Sequence, residues 1–205
     1  MKHTLNTTIV AVVLVGCGTT QPTEPPTAKA PDISIHKAAD DGNLEAIKQH
    51  IAAGTDVNSK HMDGLDEWTP LHAAANKETA ELLIDKGADI NAKDDTGGTP
   101  LFWAALEGNE EVAELLIKQG ADVNAEGPKG WTALHWAVAM AQKKTVELLI
   151  GEGAEVNAKD AIYGTPLDTV GRYYDTATKA KEADLANLLR KHGSKTAEEL
   201  KAEGK

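Results

Sequence analysis

A four-residue pattern recurs in phase along this chain. Thr69-Pro70-Leu71-His72 returns as Thr99-Pro100-Leu101-Phe102, Thr132-Ala133-Leu134-His135 and Thr165-Pro166-Leu167-Asp168, at spacings of 30, 33 and 33 residues. A degenerate copy, Ile33-Ser34-Ile35-His36, lies 36 residues before Thr69. A second landmark keeps step with the first: Gly54-Thr55-Asp56-Val57-Asn58, Gly87-Ala88-Asp89-Ile90-Asn91, Gly120-Ala121-Asp122-Val123-Asn124 and Gly153-Ala154-Glu155-Val156-Asn157, with Gly193 closing a fifth unit. Two landmarks repeating together predict an array of small units, each hiding its apolar side only against its neighbours.

Within a unit the residues spell helix, turn, helix and extended loop. Thr suits the N-cap, and Pro suits the first helical position, where its missing N–H is not needed. Alanine pairs such as Ala104-Ala105 allow close helix packing. In the second helix, Val112, Leu115 and Leu116, and then Val146, Leu149 and Ile150, fall at the i, i+3, i+4 spacing of one apolar face. The glycine of each second landmark fits a left-handed cap after that helix. Asp63-Gly64 and Asp94-Asp95-Thr96-Gly97 supply turn chemistry for the tip of a loop.

These motifs resemble the ankyrin repeat, and the resemblance covers residue 33 to about residue 193. It implies an all-α solenoid of five helix-turn-helix units with β-hairpin-like finger loops and a concave face for partners. The units are expected at about 33–61, 69–94, 99–127, 132–160 and 165–193, followed by a C-terminal cap, within a domain of residues 32–205. The departures are informative. Gln49 and His50 stand where later units have apolar residues, predicting a wetter, N-terminal capping helix. Asn187, Arg190 and Lys191 do the same in the fifth unit. Thr196-Ala197-Glu198-Glu199 is a capping-box pattern for one closing helix. The loop from Asn58 to Thr69 is three residues longer than its counterparts, the second unit's helices are three residues shorter, and the fifth unit has seven extra residues, expected in its inter-helix loop around residues 173–181.

The first 31 residues read differently. Lys2 is followed by an apolar run at residues 9–15, too short to cross a bilayer, which needs roughly 20 apolar residues. It fits a secretory signal. The run ends in Leu14-Val15-Gly16-Cys17, which resembles the bacterial lipoprotein lipobox; a plain signal peptide with a chance cysteine is the alternative. The resemblance implies that residues 1–16 are removed, that Cys17 is acylated, and that the protein sits in the cell envelope, anchored by lipid at the outer membrane facing the periplasm or the cell surface. Gly18 after the cysteine, rather than Asp, is the basis for that sorting. Residues 17–31 hold four of the eight prolines and read as an extended tether.

Lys and Arg number 21 against 32 Asp and Glu, for a formal net charge of −11. That excess speaks against a nucleic-acid partner, whose affinity rests on cationic contacts, and permits a basic protein. No catalytic or phosphate-binding motif, metal-ligand spacing or cofactor fingerprint is present, so neither an enzyme, a metal nor a cofactor is expected. His36, His72 and His135 occupy the repeat's own histidine position, where the resemblance implies a local structural hydrogen bond.

All four tryptophans use two repeat positions. Trp68 and Trp131 immediately precede the Thr; Trp103 and Trp136 follow it by four. The resemblance places both positions toward the concave side. With Met140, Tyr163 and Tyr173 they form the expected partner-binding set, rimmed by acids including Asp66 and Glu107. Packing between units is the competing role for these rings. The expected function is a membrane-tethered, monomeric module that binds another protein on its concave face, as an interaction module, as an inhibitor or immunity protein of an exported enzyme or toxin, or as a passive envelope scaffold.

Overall fold

A computed structural model of the chain describes residues 29–61, 67–172 and 179–204, with residues 179 and 180 by backbone alone. Cys17, the tether through residue 28, Asp63-Gly64, Asp66 and Tyr173 lie outside them. The described residues form ten α-helices and no strand: α1 (Ile35–Asp40), α2 (Leu44–Ala52), α3 (Lys77–Asp85), α4 (Pro100–Glu107), α5 (Glu110–Lys118), α6 (Ala133–Ala139), α7 (Lys143–Gly151), α8 (Pro166–Thr169), α9 (Lys179–Lys191) and α10 (Ala197–Ala202). First helices pack on first helices (α4 on α6, α6 on α8) and second on second (α2 on α3, α3 on α5, α5 on α7). This is the all-α ankyrin solenoid expected from the repeats.

Each landmark has a physical job. Thr99 caps α4 by accepting from the Phe102 N–H, with Pro100 at the first turn. Gly54, Gly87, Gly120, Gly153 and Gly193 all have φ between 82° and 96°, the left-handed geometry that ends a second helix without side-chain strain. The asparagine closing the second landmark joins one unit to the next. Asn58 Nδ2 donates to Gly87 O at 2.9 Å while its Oδ1 accepts from the Asp89 N–H at 2.8 Å. Asn91, Asn124 and Asn157 repeat this two-way bond along the stack. The core is a continuous seam in which Leu71, Leu101, Leu134 and Leu167 line up from the segments after each repeat's Thr, and Leu83, Leu116 and Leu149 from the second helices. Each finger is pinched at its base by one backbone bond: His61 to Trp68, Asp94 to Gly98, Gly127 to Trp131 and Asp160 to Gly164.

The structure departs from expectation at three places. After Thr69 the second unit forms a tight turn and no α-helix; its bonds run i to i−3, as in Ala73 N–H to Pro70 O at 3.2 Å. A segment three residues short cannot hold two helices and their connection, and the first gives way. His50 is buried, not wet. It stands in the column of Leu83, Leu116 and Leu149, and its ring bonds Thr55 Oγ1 and the Ile33 carbonyl, which fastens the chain entering α1. The seven extra residues of the fifth unit do not all enter a loop: α9 begins at Lys179 and runs 13 residues against nine for α5 and α7. Its Asn187, Arg190 and Lys191 are exposed, and Thr196 with Glu199 forms the capping box that starts α10.

Candidate partner-binding face

The residues at the base of the fingers and on the first helices come together in two aromatic groups. Repeat histidines position both. The His72 Nδ1 accepts from the Thr69 N–H at 3.1 Å, so Nε2 carries the proton and meets the Gly98 carbonyl of the next finger at 3.2 Å. His135 Nδ1 accepts likewise from the Thr132 N–H. One nitrogen accepting and the other protonated is the neutral ring, and burial holds both histidines below their ordinary pKa. Each ring faces the acid of the following finger, Asp94 for His72 and Asp160 for His135, the latter at 3.8 Å with both side chains buried.

The third unit has Phe102 at that histidine position, and the finger that follows has Gly127 where Asp94 and Asp160 stand. The exchange is steric. A Cβ on Gly127 would lie 3.0 Å from Phe102 Cε2, so the larger ring requires the smaller finger residue. Phe102 then centres the first aromatic group. It lies edge-on to Trp103 at 6.2 Å and Trp136 at 5.4 Å between centroids. Trp131 packs on Trp136 at 4.7 Å, stacks on His135 at 5.7 Å and meets the edge of Tyr163 at 6.0 Å. Trp131 is only 4% exposed. This corrects the expectation that it is a contact residue: it is a support on which Trp136 and Tyr163, both half-buried, rest. In the sequence Phe102 is only the fourth residue of one copy of the pattern; the signal that marks it is the coincident Gly127.

The second group is more open. Trp68 is half-buried, with its ring at 6.0 Å from His36 and 5.6 Å from His61. Trp103 is fixed by its Nε1–H, which donates to Asp94 Oδ2 at 2.8 Å. Burial opposes charge on Asp94, but donors from Thr96, Trp103 and Gly98 outweigh it and hold the carboxyl below its ordinary pKa. Between these two indoles lies a cavity of about 250 Å³ lined by Asp40, Trp68, His72, Ala73, Trp103 and Glu107. It sits beside the turn that replaces the second unit's first helix, where α1 ends at Asp40 and α4 ends at Glu107. Burial, and then the nearby Asp40 charge, raise the Glu107 pKa above the usual carboxylate value.

Of the expected site residues, Trp68, Trp103 and Glu107 share this cavity, while Trp131, Trp136 and Tyr163 form the packed group beside it. Met140 is half-buried at the end of α6. No group of three or more His, Cys, Asp or Glu side chains among the described residues is placed to hold a metal ion. Among those residues no helix is long and apolar enough to cross a membrane.

Comparison with known proteins agrees with this geometry. A family model for three copies of the ankyrin repeat matches residues 35–127, and one for a single copy matches residues 129–161, together more than half of the chain. Over 61 residues, 28% of its length, the chain is 46% identical to protein phosphatase 1 regulatory subunit 12A of Mus musculus, and equally to that of Rattus norvegicus. It spans only 6% of the length of those relatives.

Proposed function

Because this chain belongs to the ankyrin-repeat family, we propose that it is a tethered protein-interaction module that binds a partner through Trp68, Trp103, Trp136 and Tyr163 and performs no catalysis. The observation that carries the reading is the cavity between Trp68 and Trp103: aromatic rings with locked orientation and unspent contact area make good anchors, because little side-chain freedom is lost on binding. The rodent relatives, named as regulatory subunits, are an example of such a stretch within a protein that acts on another.

The remaining parts of the reading rest on residues 1–31. Acylation of Cys17 would anchor the module to a membrane of the cell envelope, the outer membrane by the Gly18 argument, with residues 17–31 as spacer and residues 32–205 as a monomeric binding domain. Inhibition of an exported enzyme or toxin is one use of such a device, and passive scaffolding is another.

In-cell crosslinking of the full chain, followed by mass spectrometry, tests the binding claim. Wild type should hold a reproducible protein partner that the Trp68→Ala, Trp103→Ala double variant loses while its circular dichroism stays that of a folded repeat protein. Full capture by that variant would refute this face as the site. Radiolabelled fatty acid should enter wild type and not Cys17→Ser; equal labelling of both would remove the anchor.

A further inference from the structure

The cavity at the turn of the second unit is lined by two indoles and two carboxylates. We propose that it receives the guanidinium end of one arginine side chain from the partner; the inference rests on the interaction reading above and specifies its chemistry.

Size selects a side-chain end. Pockets that enclose a whole small molecule run at roughly 300–1,000 Å³, and this one has about 250 Å³. Charge selects a cation. Asp40 and Glu107 reach the cavity from the ends of α1 and α4, close enough for the Asp40 charge to act on Glu107. Asp40 is shared with Lys37, whose Nζ lies 2.8 Å from Asp40 Oδ2 and 2.6 Å from Asp41 Oδ1. Among the described residues Glu107 accepts no hydrogen bond, so they leave one carboxylate of the pair without a partner. A bound cation relieves the repulsion between them, whereas an anion would meet two like charges and a net charge of −11.

The walls select arginine over lysine. Trp103 cannot turn away without breaking its bond to Asp94, and Trp68 is braced by His36 and His61. Indole is the best aromatic surface for a cation. Guanidinium is planar, weakly hydrated and carries five donors, so it stacks on a ring while bonding a carboxylate at its edge. An ammonium is compact and strongly hydrated and does only the second. A free cation pocket also agrees with the fold: Ala73, in the turn, presents no bulk where a full helix would carry another turn of side chains.

The test uses the full chain with its tryptophan side chains labelled with ¹⁵N, titrated with the amidated peptide acetyl-Gly-Gly-Arg-Gly-Gly and with its lysine and citrulline counterparts. The arginine peptide should shift the indole resonances of Trp68 and Trp103 and leave Trp131 and Trp136 in place. Saturation is expected with a dissociation constant on the order of 1 mM, the scale of a single weak anchor. Citrulline, equal in shape but uncharged, should give no saturable shift, and lysine a weaker one. Glu107→Gln, which removes the charge and breaks no hydrogen bond to a described residue, should weaken the arginine peptide at least about fivefold. Asp40→Asn should do the same if Glu107→Gln perturbs the helix end. The inference is overturned by absence of a saturable shift, by equal response to citrulline, by lysine binding as well as arginine, or by unchanged affinity in both carboxylate variants. If the peptide fails while the Trp68→Ala, Trp103→Ala variant still loses the crosslinked partner, the interaction reading stands and the arginine does not.

Discussion

Trp68 and Trp131 hold the same position in the repeat, and so do Trp103 and Trp136, yet the two pairs do different work. In the C-terminal pair Trp131 is 4% exposed, with its ring against Trp136, His135 and Tyr163. In the N-terminal pair the indoles stand apart and a cavity of about 250 Å³ lies between them. Two neighbours cause the difference. Phe102 and Gly127 bring a large ring and a small finger residue together beside Trp136, which closes that group. Beside Trp68 the second unit makes a turn in place of a first helix, which leaves the other group open. The role of a tryptophan here is set by what its neighbours fill, more than by its place in the repeat.

The largest effect should come from truncating the two equivalent tryptophans. Trp131→Ala should lower stability by about 3–5 kcal/mol, the usual result of emptying a buried aromatic site, and melt far below wild type. Trp68→Ala, at a half-buried ring, should cost well under half as much. Thermal denaturation of both variants decides it, and equal losses would break the comparison.

A mid-sized effect should follow from rebuilding the closed junction as an open one. Gly127→Asp places a Cβ 3.0 Å from Phe102 and should destabilise by about 1–3 kcal/mol through overpacking. Adding Phe102→His restores the pairing found at His72 with Asp94 and at His135 with Asp160, and should recover much of that loss. Chemical denaturation of the double-mutant cycle reads the coupling; simple additivity would mean that the two residues do not answer one another.

The smallest effect is a pH dependence that sharpens the same contrast. His36, His72 and His135 are held below their ordinary pKa by burial. Below the unfolded value of about 6.5 the unfolded chain takes up protons that the folded chain refuses, so stability is full above that pH and falls as pH drops through it. The melting temperature should therefore rise from pH 5 to pH 7. Phe102→His, which adds a titrating ring to the junction that has none, should steepen the slope, and a flat profile in both proteins would contradict the neutral-histidine geometry.

Much of this was legible in the amino-acid order. The Thr-Pro steps and the capping glycines are local chemistry repeated in phase, and local chemistry is what a sequence states directly; the Asn that ends each second landmark recurs just as visibly, but its bonds reach 29 residues or more into the next unit and its role as a joint shows only in space. The histidine position was legible as local chemistry, since its bond to the Thr N–H spans three residues. His50 was not, because its partner is the Ile33 carbonyl, 17 residues away. Phe102 and Gly127 were visible as letters, but their contact joins separate units and became apparent only in space.

By itself, then, the order of residues determined a five-unit helical array, its period, its caps and its aromatic positions, because each of these follows from backbone preferences and apolar spacing within one unit. Tertiary structure alone decided that the second unit would open a cavity, that Trp131 would be a support, and that two carboxylates would share a hollow with two indoles. Those outcomes depend on how much space adjoining units leave to one another, and that space is a property of the packed stack.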